Sequence, residues 1–178
     1  MLFGAIAVVG CAPASAESSS AVVLRVVDGD TVDVLDNDRG RLRVRILGIN
    51  TPETKPPAQC GGLEATGFAE AALLDKRVVL VADPTQDARD RYGRTLAYVQ
   101  VDGRDYSVMA AAAGVGRAYV FDRENPPARA GEIAAAQAAA TAAAAAAAKP
   151  AAKAEAPKPV EPVVQVEPST RLTMPRAS

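Results

Sequence analysis

Seven residues stand out for what their types and spacing could do: Asp28, Asp30, Arg45, Thr51, Glu53, Asp90 and Arg94. Asp28 and Asp30 are two residues apart, so in a strand or bulge they share a face. An absence bounds their chemistry, because the chain contains 0 histidines. No His nucleophile–base pair, His general acid or His metal site can exist. The 2 cysteines, Cys11 and Cys60, cannot build a four-cysteine zinc site. What remains is chemistry by Asp, Glu, Arg and Tyr, with or without a hard cation held by oxygen ligands. Taken singly, each residue also has a plain structural reading. Exposed strand charges are common, Pro52 is a turn residue, and Tyr92 could cap a barrel.

The elements that must position these residues are legible in residues 22–124. AVVLRVVD and DTVDVL are rich in β-branched residues and flank Asp28-Gly29-Asp30, with Gly29 read as a bulge glycine. Asp36-Asn37-Asp38-Arg39-Gly40 is a turn signal. RLRVRILGI then alternates, with Leu42, Val44 and Ile46 on one side and Arg41, Arg43 and Arg45 on the other. GLEATGFAEAALLDK has helical spacing. RVVLVAD and RTLAYVQV predict two more strands, and Asp102-Gly103 predicts a hairpin turn into RDYS. SVMAAAAGVG predicts a short helix ended by glycine. Three strands, a helix, two strands and then helices suit an α+β fold that is mainly β. The expected form is a five-stranded Greek-key barrel of the OB type with about three helices. Apolar residues make up 49% of the chain and Trp is absent, so the core must be built from Val, Leu, Ile and Ala.

VVDGDTVDV, RILGINTPET, a helix containing GLEATGFA, DRYGRTLAYV and AYVF occur in this order. Together they resemble the staphylococcal nuclease (thermonuclease) family over about residues 22–145. DGDT, TPE and YGR are weak singly; the ordered set is specific. The resemblance implies a calcium-dependent phosphodiesterase that cuts DNA and RNA, preferring single strands, and leaves 3′-phosphate products. Carried over by position, Asp30, Asn50 and Thr51 (through its backbone carbonyl) would ligate Ca2+, with Asp28 nearby. Glu53 would hold the attacking water and serve as its base. Arg45 and Arg94 would clamp the scissile phosphate. Arg91 and Tyr92 would contact the neighbouring phosphate, and Tyr119 would stack on a base. The physics suits these roles, since fixed guanidinium forks match the oxygens on which charge accumulates. The formal charge of −1 means that local arginines or a metal must supply the attraction for a polyanion.

Two positions depart from the family pattern. Asn50 stands where the family usually has an aspartate; its amide oxygen can still meet calcium, but a full charge is lost. Weaker calcium binding is expected, tolerable where calcium is millimolar outside the cell, or else the metal site has decayed. Phe121 replaces a tyrosine. The terminal segment that packs on the barrel in the family is here replaced by polyalanine.

The ends read differently. Residues 1–16, MLFGAIAVVGCAPASA, resemble a signal peptide without a basic n-region. Ala14-Ser15-Ala16 is an A-x-A cleavage site, whereas Val8-Val9-Gly10-Cys11 resembles a lipobox that would make the protein a lipoprotein anchored at Cys11. A lipidated Cys11 would leave Cys60 a free thiol. Residues 17–21 are expected to be a short linker, 22–148 the nuclease domain ending in an Ala-rich helix, and 149–178 a disordered Ala/Pro/Lys tail. A monomer is expected, extracellular or on the cell surface, with no transmembrane span in the mature chain. The competing reading is a non-catalytic OB module that binds single-stranded nucleic acid or a protein partner. A third reading is a surface lipoprotein whose tail is the functional part.

Overall fold

Valine alternation and tight turns build the sheet. In the computed structural model, which describes residues 17–151, β1 (Ser18–Asp28) pairs antiparallel with β2 (Thr31–Asp36), and β2 with β3 (Gly40–Ile46). Asp36 closes the β2–β3 turn by accepting from the N–H groups of Asp38 and Arg39. After α1 (Gly62–Leu73), β5 (Arg77–Val81) returns to β1, and β6 (Thr95–Val101) follows beside β5. The circuit closes where β3 and β6 pair in parallel, Val44 opposite Thr95. Closure leaves the five main strands with no free edge along that seam. The expected five-stranded barrel with three helices is therefore present. Between β3 and α1 lies the two-residue β4 (Ile49–Asn50). After β6 come β7 (Arg104–Asp105), α2 (Tyr106–Ala112), β8 (Arg117–Ala118) and α3 (Ala130–Ala151).

Inside the barrel Val23, Val32, Val34, Val44, Ile46, Leu80 and Val99 are almost wholly buried. Leu73 of α1 and Ile133 of α3 seal it from outside the sheet. Alanine gives α3 helix propensity but little to bury, so Ile133 is its main anchor. Gln137 adds a second tie, its side-chain oxygen accepting from the Ala118 N–H at 2.6 Å.

Four boundaries differ from the sequence reading, each for a tertiary reason. Residues 18–21, expected as linker, are strand, because Ser18 to Ala21 pair with residues 78 to 81 of β5. RLRVRILGI is not one strand. Gly48, at φ 78°, bends the chain and starts β4, which pairs with β8. Tyr106 and Ser107, read as strand or as the helix edge, lie inside α2, because the Asp105 carboxylate caps its N-terminus at Ser107 and Val108. The last helix runs to Ala151, so residues 149–151 continue it rather than begin the tail. The signal segment 1–16 with Cys11 and the tail 152–178 lie outside the described residues. Among the described residues no helix is long and apolar enough to cross a membrane.

Candidate active site

The β1–β2 turn delivers the acidic residues. Asp28 Oδ1 accepts from the Asp30 N–H at 3.1 Å, which folds the turn onto itself. Behind it the buried Tyr106 hydroxyl donates to the Gly29 carbonyl at 2.7 Å. Gly29 is more than a bulge residue. A Cβ there would sit 2.8 Å from Thr51 Oγ1 and 2.9 Å from Ala65 Cβ, so only glycine lets the turn press against Thr51 and α1.

Asp30 is 4% exposed. Thr51 N–H and Thr51 Oγ1 donate to its Oδ2 at 2.9 and 3.2 Å, and Thr31 Oγ1 donates to its Oδ1 at 3.1 Å. Arg45 Nη2 stands 3.2 Å from the same Oδ2. Burial pushes the Asp30 carboxyl above its ordinary value; Arg45 and the Thr51 N–H pull against that rise, and Asp28 adds to it. The site thus invests in a carboxylate that the interior disfavours.

Arg45 is held by more than this ion pair. Its Nη1 donates to the carbonyls of Ile46 and Ile49 at 2.8 and 2.9 Å, and its Nη2 to Asn50 Oδ1 at 3.1 Å. Four acceptors take up both Nη groups and fix the plane of the guanidinium, leaving its Nε–H as the donor without a partner among the described residues. The Asn50 amide oxygen faces the arginine, where an aspartate would form a second ion pair.

Glu53 follows on the exposed loop after Thr51. Its backbone is tied to Gln59, the N–H to Gln59 Oε1 at 3.2 Å and the carbonyl to the Gln59 N–H at 2.8 Å. Its carboxylate makes no hydrogen bond or ion pair among the described residues.

A second group sits on the loop entering β6. Asp90 Oδ1 accepts from the N–H groups of Tyr92 and Arg94, both at 2.9 Å, and Asp90 Oδ2 accepts from Arg94 Nε at 2.6 Å. Burial would raise Asp90, but these bonds and the Arg94 charge outweigh it and hold its carboxyl below the ordinary range. Arg94 is thereby rooted through Nε, leaving both Nη groups without partners among the described residues. Tyr92, 68% exposed, has the guanidiniums of Arg91 and Arg94 4.8 and 5.5 Å from its ring centre. The β3–β6 register sets this loop beside β3. Tyr119 is half-exposed just after β8, anchored by its N–H to the Gly48 carbonyl at 2.9 Å.

The structure therefore joins Asp28, Asp30, Arg45, Asn50 and Thr51 in one contact set. It groups Arg91, Tyr92 and Arg94 in a second, and leaves Glu53 and Tyr119 outside both. The sequence reading singled out Asp90 without giving it a role, read Gly29 only as a bulge glycine and passed over Tyr106. Asp90 was visible, four residues before an arginine at a Gly-containing turn; Tyr106 gave no local sign, because its partner lies 77 positions away.

The donors around Asp30 are all oxygens: carboxylates, an amide and the Thr51 backbone. That set fits a hard cation and not a thiolate- or imidazole-seeking one. It is sparse in charge, and among the described residues no three Asp, Glu, Cys or His side chains cluster as a metal site.

A family model described as "Staphylococcal nuclease homologue" matches residues 43–146. The chain is 42% identical over 105 residues to a thermonuclease of Staphylococcus intermedius, covering 57% of this chain and 61% of that protein. It is 38% identical over 102 residues to the endonuclease YncB of Bacillus subtilis, covering 55% and 47%. An uncharacterized endonuclease of Escherichia coli is 36% identical over 104 residues, covering 58% and 61%. The matches thus span about half to three-fifths of the length of these relatives.

Proposed function

The chain belongs to the staphylococcal nuclease family, and on that premise we propose that it is a calcium-dependent phosphodiesterase that hydrolyses DNA and RNA to 3′-phosphate products. The observation that carries this reading is Arg45, locked onto Asp30, Asn50 and two carbonyls at the end of β3. A module that only bound nucleic acid would have no use for a buried, costly Asp30 at this point.

Asp30, the Asn50 amide oxygen and the Thr51 carbonyl would hold the ion, with Asp28 close by. When bound, the cation adds positive charge beside the scissile phosphate. Arg45, through its remaining Nε–H, and the free Nη groups of Arg94 bind the non-bridging oxygens and favour the extra charge of the transition state. Glu53 takes a proton from the attacking water. The water oxygen bonds to phosphorus, the P–O5′ bond breaks, and the 5′-oxygen is protonated from solvent, leaving a 3′-phosphate. Arg91 and Tyr92 contact the next phosphate, and Tyr119 stacks on a base. Stacking tolerates any base, so sequence preference is weak and single strands are favoured. The apolar run of residues 1–16 and the reduced charge at Asn50 both suit a protein working outside the cell or anchored to its surface, as a monomer.

Digestion of denatured DNA by the purified chain tests this. Calcium-dependent cutting with 3′-phosphate ends is expected, and Glu53→Gln should lower kcat by about 10²–10⁴-fold. Fragments ending in 3′-hydroxyls, or a Glu53→Gln variant as fast as the parent, would contradict it. Binding of single strands with no cutting would favour the non-catalytic module, a reading that Asn50 keeps in play because its amide oxygen is already engaged by Arg45.

A further inference from the structure

The arginines of β3 do not stop at Arg45. Arg41, Arg43 and Arg45 alternate along the strand and so share one face, with a rise of about 6.8 Å between successive members. That step matches the distance between successive phosphates of an extended single strand. Beside them lies an open groove of about 350 Å³. Leu24 and Leu42 supply its apolar lining; Arg41 and Arg43 stand on the β3 side, and Tyr92 and Arg94 on the other. The groove therefore shares Tyr92 and Arg94 with the second group of candidate-site residues. Arg41 is exposed and makes no hydrogen bond or ion pair among the described residues.

One carboxylate opposes this positive face. Asp33 of β2, opposite Arg43 of β3 and Arg25 of β1, is bonded by both. Arg43 Nε reaches its Oδ1 at 2.7 Å and Arg25 Nη2 its Oδ2 at 2.7 Å. The side chains of Arg25 and Arg43 are still 60% and 48% exposed, so water and anions reach them. Asp33 acts toward these guanidiniums as a phosphate would, holding both forks in place and competing for them.

We propose that this groove is an additional nucleotide subsite, in which Arg41 and Arg43 bind successive phosphates of the substrate strand beyond Arg94, and that Asp33 weakens it by self-competition. Mixed apolar and cationic lining suits a nucleotide, with a base against Leu24, Leu42 and Tyr92 and its phosphates on the arginines. The chain's net charge of −1 makes this the local device by which it would attract a polyanion. The inference deepens the phosphodiesterase reading and takes its substrate class from it, but its test does not need turnover.

The test is binding of fluorescein-labelled oligothymidylates of two and of eight nucleotides to the full chain in chelator, at several salt concentrations. The parent should bind the longer strand at least tenfold more tightly. Arg41→Gln/Arg43→Gln should remove that advantage, leave the dinucleotide unchanged and flatten the salt slope by about 1.4, two contacts at about 0.7 each. Asp33→Asn should instead tighten the longer strand severalfold, a gain that a misfolded variant would not produce. A double-arginine variant that keeps the full length advantage, or an Asp33→Asn variant that binds more weakly, would overturn the subsite. Cutting measured in parallel with calcium separates the two claims. Length-dependent binding through Arg41 and Arg43 without cutting would sink the enzyme reading alone. Cutting without that length dependence would sink the subsite alone. A parent that binds neither strand and does not cut with calcium would overturn both.

Discussion

Asp30 carries the main conflict at the scale of single residues. Burial raises its carboxyl, so the ionised form needed for a metal costs stability at neutral pH. Its asparagine variant should unfold at a higher temperature and lose cutting, because Arg45 keeps the carbonyls of Ile46 and Ile49 and the Asn50 oxygen as acceptors. Differential scanning calorimetry beside an activity assay checks both halves. Arg94→Lys keeps a charge but loses the fork that Asp90 roots through Nε. It should cost about 10²–10³-fold in kcat with a smaller change in KM. These residues stand out as candidates because DGDT, TPE and YGR occur in order. Their mutual contacts do not, since nothing local in Asn50 shows that its oxygen is turned to Arg45.

Among the elements, the turns and α2 do the positioning. Tyr106 begins α2 and reaches back to the Gly29 carbonyl. Tyr106→Phe should cost about 1 kcal/mol in urea unfolding, and should slow cutting more than it weakens strand binding, because it loosens the Asp28-Gly29-Asp30 turn. Ile133 is wholly buried and is the chief apolar side chain by which alanine-rich α3 grips the barrel. Ile133→Ala should destabilise by about 2–5 kcal/mol. Strands with valine alternation were readable from sequence, as was the Asp102-Gly103 hairpin, whose residues take φ 51° and 73°. Residues 18–21 were not, since serines carry no strand signal and pair only because β5 is beside them. The β4–β8 ribbon was hidden for the same reason.

Over the whole molecule, pH acts on carboxylates with opposite signs. Asp33 is held low chiefly by Arg43 and Arg25; Asp36 is held low, against its burial, by Arg39 and Ser19. Such depressed groups stabilise fully above the ordinary value of 3.8 and lose that contribution as pH falls through their lower folded values. Asp30 works the other way, with its contribution present below 3.8 and lost as pH rises through its raised value. Acid unfolding should therefore set in below pH 3.8, and Asp30→Asn should raise stability near pH 7 more than near pH 3. Removing residues 152–178 should leave turnover in solution unchanged if the barrel is the working part; a large loss would favour the tail as the functional segment.

The most direct test of the central claim is a calcium titration of denatured-DNA cutting by the parent, Asn50→Asp and Glu53→Ala. A metal-dependent enzyme with a charge-poor pocket predicts that the parent cuts only at high calcium. Asn50→Asp should reach half-maximal rate at lower calcium, and Glu53→Ala should be nearly inert throughout. Silence from both the parent and Asn50→Asp at every calcium concentration would contradict it and leave a nucleic-acid-binding barrel.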